Sequence, residues 1–203
     1  LGGASALPAP GGDEPKCEEL PDGRVILSSR VGGGRIYNIY TYSNTLTGAG
    51  TWSTDVKSTF EGSGLTPGGN STNGEILIVP VKRNSDGKDM YILLQSLPFG
   101  GGRTNVGIYY KELAASEDFD TPENIAKDWD GRFQITYKAS AYSTMIQQQD
   151  GAIAFAYEED TYGTQGGGYT IAYKSFTVDE ITDGKYSYNE KVNRKKFLKK
   201  LAK

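Results

Sequence analysis

A lone tyrosine, Tyr142, stands among small residues in Lys138-Ala-Ser-Ala-Tyr142-Ser, at the start of a predicted strand. Small neighbours leave a phenol reachable, although a tyrosine so placed is ordinarily a half-buried packing residue. A phenol has an ordinary pKa of about 10 and is a poor nucleophile alone, so it needs a carboxylate beside it to take its proton. Glu14, Glu18 and Glu19 are the glutamates near the start of the chain, and Glu158 and Glu159 close a later strand-like run. Arg30 and Arg103 supply planar, bidentate donors of the kind that grip a carboxylate, which lysine does not. The sequence has no histidine. That excludes serine-histidine triads, histidine-ligated zinc and imidazole acid/base catalysis, and leaves carboxylates, tyrosine and lysine as the candidate groups.

These residues must be carried by strands. Fourteen tyrosines and 27 glycines, with few long apolar runs, favour short strands joined by turns, and 203 residues suffice for one domain with a sizeable core. One unit recurs three times: a turn dipeptide, a strand, and a second strand rich in tyrosine and β-branched residues. Asp22-Gly23 precedes Val25 to Arg30 and then Ile36 to Ser43; Asn73-Gly74 precedes Glu75 to Val79 and then Met90 to Ser96; Asp150-Gly151 precedes Ala152 to Tyr157 and then Tyr169 to Ser175. Such dipeptides predict hairpins. Irregular repeats of roughly 50 to 75 residues with about four strands each fit propeller blades better than a sandwich. The fold class is therefore all-β, with residues 1-13 a Pro- and Gly-rich linker or truncated start, 14-190 the folded body, and 191-203 a basic tail.

Other features bound the function. The net charge of −3 gives no broad basic surface, which argues against nucleic acid as a partner. The single Cys17 excludes an intrachain disulfide and a cysteine-rich metal site. No run approaches the roughly 18 apolar residues of a membrane span, and the first residues lack the charged start of a signal peptide. The chain is thus expected to be a processed or truncated product. Thr121-Pro122 predicts a short helix with a threonine cap. The tail, with seven Lys or Arg from Lys191 to Lys203, reads as solvated. The glycine clusters at 32-34, 100-102 and 166-168 lack the Lys-Ser/Thr and helix of a phosphate loop and read as turns. Asn70-Ser-Thr72 is a glycosylation sequon without supporting context.

The order of these motifs resembles the second half of a bacterial exo-sialidase (neuraminidase), over most of residues 14 to 190. The family's tyrosine lies in a Ser-Ala-Tyr-Ser context, matched at Tyr142, and its partner acid lies five residues ahead of a Glu-Leu-Pro-Asp-Gly turn, which from Glu19 gives Glu14. The family's second arginine ends a strand after that hairpin, matched by Arg30. Its third sits in a Gly-Arg-x-Asn loop, matched by Arg103. Glu158 matches the acid that orients the first arginine. Tyr42-Ser43-Asn44, an insertion, and Gly50-Thr51-Trp52 resemble a degenerate Asp-box (BNR repeat) turn. The resemblance implies about three four-stranded blades, the second half of a six-bladed β-propeller, removing terminal sialic acids from glycans with retention. Tyr142 would be the nucleophile, Glu14 its base, and Arg30, Arg103 and Glu158 substrate-binding residues, with no metal or organic cofactor. It also implies a secreted or periplasmic setting, and the N-terminal half of the propeller, or self-association, as partner. The family's first arginine, in an Arg-Ile-Pro motif, and its general-acid aspartate have no counterpart in the sequence. That absence supports an alternative, a non-catalytic sialic-acid- or glycan-binding propeller fragment, and a purely structural β-repeat protein is a third.

Overall fold

The computed structural model describes residues 8–58, 63–64, 73–160 and 168–192. Asn70, most of the basic tail and two glycines of the 166-168 cluster lie outside them. Among the described residues are thirteen strands in three antiparallel sheets. In the first sheet, β1 (Asp13–Glu19), β2 (Val25–Val31), β3 (Gly34–Asn44) and β4 (Ala49–Trp52) lie in sequence order, and β5 (Val56–Lys57) also pairs with β3. Two turns set this order. Gly23 (φ 90°) turns β1 into β2, and Gly33 (φ 82°) turns β2 into β3; both need a left-handed backbone that glycine adopts without strain. Between β3 and β4 the Asn44 carboxamide accepts the Leu46 and Thr47 amides at 3.0 and 3.2 Å, and the Trp52 ring packs 4.9 Å from Tyr40.

The second sheet runs β13-β6-β7-β8-β9, with β6 (Ile76–Arg83), β7 (Asp89–Gly100), β8 (Thr104–Leu113), β9 (Gly131–Gln134) and β13 (Tyr186–Tyr188). Before β9 the chain makes α1 (Pro122–Ile125), where the Thr121 hydroxyl accepts the Asn124 amide. The third sheet is β10 (Ser140–Gln147), β11 (Ile153–Glu159) and β12 (Thr170–Phe176). Its first hairpin turns at Asp150-Gly151, with Gly151 at φ 89°.

The middle sheet is buried on both faces, which is why Ile92-Leu93-Leu94 is an unbroken apolar run rather than an alternation. Leu93, Ile76 and Ile78 pack on Ile26, Tyr37 and Ile39 of the first sheet. On the opposite face Val79, Ile92 and Leu94 pack on Met145, Phe155 and Tyr157 of the third. Each such side chain, withdrawn from water, contributes about 1.5–3 kcal/mol. The third sheet buries one face only. Cross-strand register puts Ile171 and Tyr173 on its other face with Thr144, Ala156 and Glu158, and Ile171 and Tyr173 are 69% and 64% exposed.

Two expectations change. Asn73-Gly74 is not a hairpin turn: Gly74 is required because a Cβ there would lie 1.8 Å from the Ser96 carbonyl oxygen, so the residue serves close approach of two strands. The third repeat has three strands among the described residues, not four. After α2 (Val178–Ile181) the chain crosses to the middle sheet, because Tyr186 finds a buried site there and donates its hydroxyl to Glu112 at 2.6 Å. Among the described residues no helix is long and apolar enough to cross a membrane.

Candidate active site

β1 and β10 both contact β6, so the first strands of the three sheets converge. Two of them are interrupted at one end. Between Asp13↔Arg30 and Lys16↔Ser28 strand β1 advances three residues while β2 advances two; between Ser140↔Glu159 and Ser143↔Tyr157 strand β10 does the same against β11. Such bulges re-aim side chains. Glu14 lies in the first and Tyr142 in the second. Glu14 also holds φ 44°, a left-handed conformation that costs a non-glycine residue about 1–2 kcal/mol.

The two bulges bring the side chains together. The Tyr142 hydroxyl donates to Glu14 Oε1 at 2.9 Å and accepts from Arg30 Nη1 at 3.1 Å. The same Nη1 lies 3.1 Å from Glu14 Oε2, and Arg30 Nε is 3.9 Å from Asp13. Burial pushes the Glu14 carboxyl up, but the bonds from Arg30 and Tyr142 and the charges of Arg30 and Arg35 outweigh it and hold it below its ordinary value. Glu14 is therefore a carboxylate at neutral pH and accepts the phenol's hydrogen bond. The Glu14 bond raises the Arg30 guanidinium above its ordinary range.

Arg103 stands over the Tyr142 ring, its guanidinium carbon 5.5 Å from the centroid. It occupies the turn between β7 and β8, and both Arg103 (φ 61°) and Asn105 (φ 63°) are left-handed. The segment leading into β10 holds that turn: Ser140 N–H donates to the Arg103 carbonyl at 2.8 Å, and Asn105 N–H to the Lys138 carbonyl at 3.0 Å. Glu159 anchors that segment in turn. Its carboxylate accepts from Thr136 at 2.7 Å, Lys138 at 3.0 Å and Tyr157 at 2.9 Å. Glu158, one residue earlier, faces the other side of the sheet and accepts the Tyr142 amide at 3.3 Å.

Burial raises the Glu159 carboxyl, and the bonds from Thr136, Lys138 and Tyr157 overcome this, leaving it below its ordinary value. A depressed carboxyl contributes stability above its unfolded pKa and loses it as pH falls through the folded one. Glu159→Gln should therefore melt lower than the parent at pH 7, with the gap closing as the pH drops below about 4. Thermal melts across that range check this; a pH-independent gap would refute the charge-based anchor.

Beside Tyr142 is a cavity of about 270 Å³ lined by Lys16, Asn73, Thr144, Glu158 and Ile171 among others. Beneath it Glu75 ties the first strands together, accepting from Thr144 at 2.9 Å and pairing with Lys16 at 3.4 Å. Sequence reasoning did not single out Lys16, Asn73, Glu75 or Arg35. Two signals pointed to some of them: Lys16 and Thr144 lie two residues beyond Glu14 and Tyr142, and Arg35 follows a tight turn from Arg30. Among the described residues no three His, Cys, Asp or Glu are grouped to hold a metal.

No protein-family profile matches the sequence, and no curated protein matches it. Solved structures do. The chain is similar to an intramolecular trans-sialidase from Ruminococcus gnavus, with 22% identity and a TM-score of 0.56 over 89% of this chain and 34% of that one. It is similar to a leech intramolecular trans-sialidase, at 20% identity and TM-score 0.56, over 90% of this chain and 25% of that one. For the NanB sialidase from Streptococcus pneumoniae the values are 18%, 0.60, 88% and 26%. The chain therefore spans a quarter to a third of these proteins, and over nearly all of its own length it carries the fold of that portion of a sialidase.

Proposed function

We propose that this chain is the C-terminal portion of an exo-α-sialidase, its three stacked sheets forming three blades of a six-bladed propeller. The observation that carries the reading is the Tyr142 hydroxyl, donating to Glu14 at 2.9 Å while Arg30 lies 3.1 Å from it. Sialic acid bears a carboxylate on its anomeric carbon, which would repel the carboxylate nucleophile of an ordinary retaining glycosidase. A neutral phenol avoids this. As Glu14 takes the phenol's proton, Tyr142 Oη bonds to the anomeric carbon and the glycosidic C–O bond breaks, the departing oxygen taking a proton from an acid in the upstream half. Water then enters from the face the departing oxygen left, giving a proton back to that upstream acid, while Tyr142 Oη leaves and recovers its own proton from Glu14; two inversions retain the configuration. Arg30 and Arg103 grip the substrate carboxylate, each charge-assisted bond contributing about 1.5–3 kcal/mol. Glu158 orients the first arginine of that half. Terminal sialic acids of glycans, a secreted or periplasmic setting and no cofactor belong to this reading.

The exposed face carrying Ile171 and Tyr173 supports the partner in the proposal: the upstream half, or a second copy, covers it. It also favours a second reading, a non-catalytic glycan-binding fragment that keeps the arginines without the acid. A fluorogenic sialoside assay separates the two. Residues 1 to 203 alone should release little or no sialic acid, since general-acid help is typically worth about 10²- to 10⁴-fold, and adding the upstream half should restore release. Binding of sialic acid without release in the complemented protein would leave the second reading. Full activity of the chain alone would mean that the catalytic groups lie elsewhere.

A further inference from the structure

Arg35 is the residue of the fold hardest to explain by packing. It pairs in register with Arg30 across the β2–β3 hairpin, so both guanidinium groups leave the same face, yet Arg35 is 0% exposed. Its Nη2 donates to the Gly74 carbonyl at 2.8 Å, while Nε and Nη1 have no hydrogen-bond partner. A buried charge left this way costs several kcal/mol, and an apolar side chain would be cheaper. The side chain is also fixed in place. Its backbone is bonded to Ser58 in both directions, at 2.9 and 2.8 Å, and its Cγ lies so close to Gly64 that a Cβ there would be 2.3 Å away. Among the described residues, the charged and titratable groups around it are Glu14 from β1, Arg30 from β2, Tyr37 from β3 and Glu75 before β6. Around Glu14 they are Arg30, Tyr142 and Arg35, with Asp13 on the far side of Arg30. Glu14 Oε2 is buried too, and what faces it is the charge of Arg30 Nη1 at 3.1 Å.

We infer that Arg35 is a positioning residue for the Glu14–Tyr142 pair: a locked counter-charge that keeps Glu14 a carboxylate while Arg30 is shared with an incoming substrate carboxylate. Arg30 is 25% exposed in its side chain and already serves two groups. Once it turns to a third, an anion, its hold on Glu14 weakens, and a base without a counter-charge would pick up a proton from solvent instead of from Tyr142. Arg35 cannot turn away.

The inference rests on Glu14 being the base, but its test reads ionisation alone. The side-chain carboxyl of Glu14 is titrated by carbon-detected NMR in the 203-residue chain and in R35M, R35K, R30Q and R30Q/R35M. R35M should raise the Glu14 midpoint by about half a unit or more, R35K should restore most of it, and R30Q should titrate below R30Q/R35M. A folded R35M with an unmoved midpoint, or an R35K that behaves as R35M does, overturns the inference. Should R35M fail to fold, the Nε–H resonance of Arg35 in the parent chain gives the same answer. It should shift with the Glu14 midpoint and lose that step in E14Q, and a step that survives E14Q overturns the coupling. If the midpoints move as expected and no sialidase activity is found, the catalytic reading fails while the Arg35–Glu14 coupling stands.

Discussion

Tyr142→Phe, in the protein with its upstream half supplied, is expected to lower kcat by about a thousandfold or more while leaving the affinity for a sialic acid analogue nearly unchanged. The reason is the place of the lost atom. The hydroxyl donates to Glu14 and accepts from Arg30, so its removal leaves the arginine in place and, on the proposed mechanism, takes away only the oxygen that would attack carbon. An interaction made chiefly in the transition state shows in kcat, not in ground-state binding. Glu14→Gln should fall by about 10²- to 10⁴-fold, the usual worth of a positioned base. Steady-state kinetics on a fluorogenic sialoside, with analogue binding by calorimetry, give both numbers. Release at near the parent rate by either variant would refute the roles assigned here.

Gly74→Ala should be the most damaging single-methyl substitution near the site. Its Cβ would lie 1.8 Å from the Ser96 carbonyl oxygen and 2.9 Å from the carbon behind it, both backbone atoms. Neither strand can step aside cheaply. Ser96 N–H is bonded to the Glu75 carbonyl at 3.0 Å, Glu75 N–H to the Ser96 hydroxyl at 2.8 Å, and the Gly74 carbonyl to Arg35. Ser143, next to Tyr142, donates to that same Ser96 hydroxyl at 2.9 Å, so the disturbance reaches the phenol. Overpacking costs about 1–3 kcal/mol where a core can relax, and more where it cannot. At about 2–4 °C per kcal/mol for a chain of this size, a fall of about 10 °C in Tm is expected. Gly87→Ala is the control: φ 72° makes it strained, but a Cβ meets nothing within 4 Å, and about 1 kcal/mol should be lost. Equal melts for the two variants would rule out the close approach at Ser96 as the cause.

Much of the strand order was legible because it is written locally. Asp22-Gly23 and Asp150-Gly151 are turns whose glycines need positive φ, and the threonine-proline pair at 121 and 122 starts a helix with the cap its types demand. The meeting of Tyr142, Glu14 and Arg30 came from motif order, since no local rule links residues 14 and 142. What stayed hidden depends on neighbours far along the chain. Asn73-Gly74 has the composition of a turn and is a packing contact, a difference that only the position of Ser96 reveals. Glu158 and Glu159 point to opposite faces by strand alternation, but which is the buried anchor follows from Thr136, Lys138 and Tyr157. The crossing of β13 to the middle sheet rests on Tyr186 reaching Glu112, which hydrophobic pattern does not encode. Nothing in the local sequence marks Arg35 for burial, and it is fully buried.

The paired bulges at Glu14 and Tyr142 have a bearing on descent. Each is one surplus residue against a neighbouring strand that is otherwise in regular register. Loss of a single codon at either place would restore the ladder, keep the cores on both faces of the middle sheet, and carry the phenol or its carboxylate out of reach of the other. In a lineage of such chains, the contact between phenol and carboxylate is thus easier to lose than the architecture. Relatives that keep this fold and have turned to other work should betray themselves by a strand one residue shorter, before any change in their cores.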